Sequence, residues 1–113
     1  MSQLEQQQNI NRSLLHVRPS NKSGSHLNCI RLRNNVLDGR YDKHNLEIVK
    51  RCMEYLKLGI PFMTEVIFVD GQRADILKPA TGEIEEIAVT EKEESLERKK
   101  ANYPFPIRVI RVR

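Results

Sequence analysis

The 113-residue chain has no tryptophan, three phenylalanines, three tyrosines and two cysteines. Each shortage excludes something. Such scarce aromatic surface leaves little material for the platforms on which single-strand nucleic-acid binders stack successive bases, which argues against a dedicated binder of that kind. Cys29 and Cys52 give no disulfide framework, and Cys52 falls on the apolar side of a predicted helix, where a thiol behaves as a small hydrophobe. Both are expected to be reduced. His26, Cys29, His44 and Cys52 match no standard zinc spacing. No apolar run approaches the ~20 residues that span a bilayer, and the stretch MSQLEQQQNINRS lacks the apolar centre of a secretory signal. A soluble, cytoplasmic protein with no membrane partner is expected.

What is present is ordinary in bulk: 39% hydrophobic and 30% charged residues, enough for one modest core. Lys and Arg outnumber Asp and Glu by 19 to 15, giving net +4 and a pI near 9.3. That balance permits a nucleic-acid partner without requiring one. The first 40 residues hold six basic side chains (Arg12, Arg18, Lys22, Arg31, Arg33, Arg40) against Glu5 and Asp38, whereas acids concentrate from Glu83 to Glu97.

Residues 1–41 read as an extension to a core domain at 42–113. The first dozen residues are Gln-rich and poor in apolar groups, so they are expected to fray. SLLHVRP and HLNCIRLR read as short strands. Asp42 can cap a helix whose apolar stripe runs through Ile48, Val49, Cys52, Met53, Tyr55 and Leu56 and stops at Gly59 and Pro61. FMTEVIFV, RADILKP and EIEEIAVT follow as three strands joined by DGQ and ATG turns. Thr90 and Glu93 form a capping box for a helix over EKEESLERKKA, and IRVIRV closes the chain as a strand. The order is α-β-β-β-α-β, an α/β fold.

Register decides where the acids fall. A second hairpin centred near Thr81 sets Asp75 opposite Glu86, with Cβ atoms roughly 5 Å apart. A three-residue first loop, Asp70 to Gln72, pairs Val69 with Arg73 and brings Glu65 to the same face; a two-residue loop sends Glu65 to the other. Val66, Phe68, Ala74, Ile76, Ile87 and Val89 are then expected to form one apolar face. Like charges so close are costly unless a cation or bound proton neutralises them. Converging oxygen ligands suit Mg²⁺ or Mn²⁺. On the preceding helix, Glu47 can pair with Arg51 at i, i+4, and His44 reads as a boundary residue at the helix start.

The order of elements, RAD at Arg73–Asp75 and EIA at Glu86–Ala88 together resemble the PD-(D/E)XK nuclease superfamily, most nearly its small archaeal and viral members similar to Holliday-junction resolvases. The resemblance covers about the carboxy-terminal two-thirds. It implies a restriction-endonuclease-like core, with a mixed sheet flanked by helices, and a metal-dependent DNA endonuclease. Asp75, Glu86, the carbonyl of Ile87, Glu65 and Glu47 would hold Mg²⁺ or Mn²⁺. The lysine of the family's third motif position is Ala88 here, so Arg73, or Lys99 and Lys92 from the following helix, would supply the cation. Arg31, Arg33, Arg40, Lys43 and Arg51 would meet DNA phosphates, in a homodimer. The alternatives are a catalytically silent module that binds DNA or a partner protein, and an interaction module pairing through its IRVIRV edge.

Overall fold

The computed structural model describes residues 2–19, 27–32, 39–89, 94, 97–98 and 103–112. Its elements are α1 (Gln3–Leu14), α2 (Asp42–Leu58), β1 (Met63–Ile67), β2 (Arg73–Lys78), β3 (Glu83–Ala88) and β4 (Ile107–Arg111). The strands form one mixed sheet in the order β1-β2-β3-β4, antiparallel across the first two pairings and parallel between β3 and β4. A parallel neighbour needs a crossover rather than a tight turn, and the β3–β4 connection has helical backbone at Glu94, Glu97 and Arg98. The fold is α/β. The predicted capping box at Thr90 and Glu93 lies outside the described residues.

Where fraying was expected, α1 is formed. Ser2 and Glu5 make the Ser-x-x-Glu start of a helix, and the Ser2 hydroxyl accepts the Glu5 N–H at 3.1 Å. Ile10 and Ser13 are buried, and the Ser13 hydroxyl donates to the Pro79 carbonyl at 2.7 Å. The strand expected at SLLHVRP shrinks to one bridge between Val17 and Phe68. Val17 is nonetheless fully buried in the cluster formed by β1 and β2. HLNCIRLR shows no strand at residues 27–32. That segment is tied to the start of β1 instead: Thr64 Oγ1 accepts the Arg31 N–H at 2.6 Å and donates to the Cys29 carbonyl at 3.1 Å.

Asp42 is the first helical residue of α2, not its cap; Tyr41 occupies the cap position without a side-chain bond. The helix stops at Gly59, whose φ of 69° is left-handed, and the Ile60 N–H returns to the Tyr55 carbonyl at 2.9 Å. The core takes only part of the predicted stripe. Ile48, Cys52 and Tyr55 are buried, but Met53 and Leu56 are about half exposed, at 51% and 52%.

The second hairpin has the predicted register: Ile76 opposes Glu85, and Lys78 opposes Glu83. The first is displaced by two residues, with Ile67 opposite Arg73 in place of Val69, because the Phe68 N–H bonds to the Gln72 carbonyl and closes a three-residue loop at Val69–Gly71 in place of Asp70–Gln72. A two-residue shift keeps every side chain on its face. The single apolar face is where expectation fails. Val66, Phe68 and Ala74 cluster with Met63, Leu77 and Ile84, whereas Ile76 and Ile87 cluster with Ile48, Cys52, Tyr55 and Phe62 from the α2 side. Residues three apart along a regular strand face opposite ways, yet Met63 and Val66 share a cluster, as do Ala74 and Leu77. Both strands therefore lose their alternation between these pairs, at Glu65 and Asp75.

Candidate metal centre

The break in alternation has a backbone cause. Glu65 adopts φ of 48°, a left-handed conformation that costs a non-glycine residue about 1–3 kcal/mol and is retained where the surroundings enforce it. Next to it the β2–β3 ladder ends. Beyond the Ile76–Glu85 pair, the Ile87 N–H donates to Asp75 Oδ2 at 2.7 Å, and the Asp75 N–H donates to Glu86 Oε1 at 3.3 Å. Carboxylates take positions that carbonyls hold in a regular ladder. Tyr103, whose hydroxyl donates to the Arg73 carbonyl, lies 3.4 Å from Glu86 Oε1.

From the helix side, His44 comes one α-helical repeat before Ile48 and two before Cys52, on the inward face of α2. Its Nε2 lies 3.0 Å from Asp75 Oδ1, and its Nδ1 lies 3.3 Å from Asn45 Oδ1. His44 is 4% exposed, and Asp75 and Glu86 are each 2% exposed. One ligand atom each from His44, Glu65 and Asp75 falls within 4.8 Å of the others. Adjacent ligands on an octahedral ion with bonds near ~2.1 Å stand about 3.0 Å apart and opposite ones about 4.2 Å apart. The His44–Asp75 separation already equals one such edge. Glu65 brings a carboxylate oxygen within 4.8 Å of both, so the three ligand atoms surround one position. Without an ion, the same 3.0 Å is a hydrogen-bonding distance between the ring and the carboxylate.

The predicted site residues divide around this centre. Asp75 and Glu65 belong to it. Glu86 stands beside it, bonded to the Asp75 amide, outside the three-residue group. Ile87 meets Asp75 through its amide N–H, whereas its carbonyl was the expected ligand. Glu47 is not part of the group: its carboxylate is 3.7 Å from Arg51, one turn along α2. His44, which sequence reasoning set aside as a helix-start residue, takes the place given to Glu47. Its signal was the i, i+4, i+8 phase shared with Ile48 and Cys52.

Arg51 corrects a second expectation. Instead of facing DNA, its Nε and Nη2 donate to Glu85 Oε1 and Oε2 at 3.2 and 2.9 Å. Glu85 is fully buried and also accepts from the Tyr55 hydroxyl, with Lys78 Nζ at 3.9 Å. Burial alone raises a carboxyl pKa, but the hydrogen bonds from Arg51 and Tyr55 and the charges of Arg51 and Lys78 outweigh it. The Glu85 carboxyl is held below its ordinary range. Burial, followed by the bond to Glu85, pushes the Tyr55 phenol up to about 12.

Arg31, Arg40, Lys43 and Arg73 are exposed. Arg31 is bonded through its amide to Thr64, next to Glu65, and Lys43 precedes His44. Arg33, Lys92 and Lys99 lie outside the described residues. Ala88 is buried, and Arg111 of β4 stands level with it in the parallel pair. In comparisons with protein-family models, curated proteins and solved structures, nothing matches this chain.

Proposed function

We propose that the chain is a divalent-metal-dependent DNA nuclease whose ion is held by His44, Glu65 and Asp75, with Glu86 orienting the strand end beside them. The convergence of those three ligand atoms, at the point where both strands lose their alternation, carries this reading. Three further features support it. The element order and the parallel β3–β4 pair agree with the restriction-endonuclease-like core implied by the sequence. Asp75 and Glu86 meet on neighbouring strands, and the exposed Arg31 and Lys43 lie close to the ligands, Arg31 bonded to Thr64 beside Glu65 and Lys43 preceding His44. An imidazole among carboxylates favours Mn²⁺, or a softer ion such as Zn²⁺, over Mg²⁺.

When bound, such an ion polarises a scissile phosphate and lowers the pKa of a coordinated water. The chain's own residues fix the rest. The Ile87 amide anchors one Asp75 oxygen and leaves the other directed at His44. Near-complete burial of His44 and Asp75 strengthens charge interactions there by excluding water. Arg73, two residues before Asp75, and Arg111, level with Ala88 in the parallel pair, would replace the absent lysine as phosphate clamps. Hydrolysis of both strands of a duplex or junction calls for two centres, so the reading includes a homodimer. It also includes residence in the cytoplasm, and no described helix is long and apolar enough to cross a membrane.

Incubation of wild type and Asp75→Asn with plasmid, four-way junction and single-stranded DNA in Mn²⁺ tests the proposal. Wild type is expected to cut a duplex or branched substrate, and the variant to lose cutting while retaining DNA binding. Ala88 favours one second reading, a silent module that binds DNA and does not cleave it. Binding of equal strength by both proteins with no product from either would establish that reading.

A further inference from the structure

The helix that supplies His44 carries more apolar surface than the sheet covers. Besides its inward line, α2 has a second line at Leu46, Val49, Met53 and Leu56, spaced i, i+3, i+7, i+10. Leu46 is 70% exposed, Met53 and Leu56 are about half exposed, and Val49 is intermediate. Isolated exposed leucines are ordinary. A run that keeps the a and d positions of a heptad over about 15 Å of helix is the contact pattern of a second helix.

Charge at the edge of this strip narrows the choice of occupant. Lys50 and Lys57, both exposed, follow Leu46 and Met53 by four residues and so stand one heptad apart along one border. On the other border lie Asn45 and Cys52, buried against the sheet. Antiparallel pairing with a second copy would set Lys50 and Lys57 against their counterparts, and like charges there are destabilising. A broad anionic surface such as a membrane would also meet Glu54, which is exposed four residues beyond Lys50. A narrow partner with carboxylates opposite the lysine border alone satisfies both features.

We propose that this face of α2 docks an acidic amphipathic helix of another protein. Its apolar side chains would pack among Leu46, Val49, Met53 and Leu56, and its acids would face Lys50 and Lys57. The inference is independent of the metal centre, whose ligands lie on the inward side of the same helix.

The probe is a fluorescently labelled three-heptad synthetic helix with Leu at a and d and Glu at e and g, titrated with the full chain and followed by anisotropy. Binding is expected to weaken with rising salt. It should fall by about tenfold or more in Met53→Glu and several-fold in Lys50→Glu/Lys57→Glu. The lysine variants change only exposed positions, and far-UV circular dichroism confirms the fold of each protein. A matched helix with Lys at e and g should fail to bind. Equal binding of the two probes, or none of either, overturns the proposal, as does an unchanged affinity in Met53→Glu. Preferential capture by phosphatidylserine vesicles, or a wild-type dimer in solution that Met53→Glu dissolves, would assign the face to a membrane or to a second copy and equally refute the helix partner.

Discussion

Replacing Arg51 by Met tests the buried charge network. The Arg51 side chain is 22% exposed and that of Glu85 fully buried, so this is not a surface pair worth a few tenths of a kcal/mol. Breaking a buried pair by removing one partner costs about 3–5 kcal/mol, because the remaining charge loses its compensation. Tyr55 and Lys78 stay close to Glu85, which places the cost near the lower end, about 3 kcal/mol. For a chain of this size that corresponds to a fall in Tm of roughly 12 °C. The pH dependence has a definite sign. In wild type the Glu85 carboxyl is lowered on folding, so its stabilisation is present above the ordinary carboxylate value of ~4.3 and is lost as pH falls through the folded value. In Arg51→Met the raising effect of burial lacks its main counterweight, the folded state prefers the protonated acid, and the deficit against wild type shrinks as pH falls. Urea denaturation at pH 7 and pH 4, with Arg51→Met, Glu85→Met and the double variant, measures each quantity. The double variant should recover to within about 1 kcal/mol of wild type. A single-variant cost below about 1 kcal/mol, or a double variant as unstable as the two singles summed, would refute the assignment.

Three further outcomes follow from particular residues. Burial pushes the Cys52 thiol up to about 12, while Cys29 is only part-buried; iodoacetamide at pH 8 should label the native protein at Cys29 alone, and mass spectrometry after urea should show both labelled. Gly59→Ala places a Cβ where nothing lies within 4 Å, so its cost, about 1–2 kcal/mol in chemical denaturation, is the left-handed backbone alone. Glu65→Gly relieves the φ of 48° and should leave the metal-free protein at least as stable to urea as wild type, while abolishing its thermal response to Mn²⁺.

Much of the fold was legible because period-two alternation and turn residues are strong local signals. The strands, the ATG hairpin register and the meeting of Asp75 with Glu86 all rest on them. The first hairpin differs from expectation by two residues because a bond from the Phe68 amide to Gln72, invisible in composition, sets where the three-residue loop begins. The single apolar face failed for a related reason: nothing in FMTEVIFV announces that Glu65 adopts a left-handed backbone. The Gln-rich start concealed α1 even though Ser2 and Glu5 spelled its cap, since the burial of Ser13 and Val17 depends on partners more than 50 residues away. The Glu47–Arg51 pair is local to α2 and legible from its i, i+4 spacing, whereas the reach of Arg51 to Glu85 is a tertiary fact.

The central claim is that His44, Glu65 and Asp75 form one divalent-ion site, and calorimetric titration of the purified chain with Mn²⁺ tests it most directly. One ion per chain is expected, accompanied by thermal stabilisation of about 2.7 kcal/mol at a hundredfold excess over Kd. Binding should be lost in His44→Ala and in Asp75→Asn and retained in Glu47→Ala. An affinity that survives His44→Ala, or a wild-type chain that takes up no ion, would contradict the account.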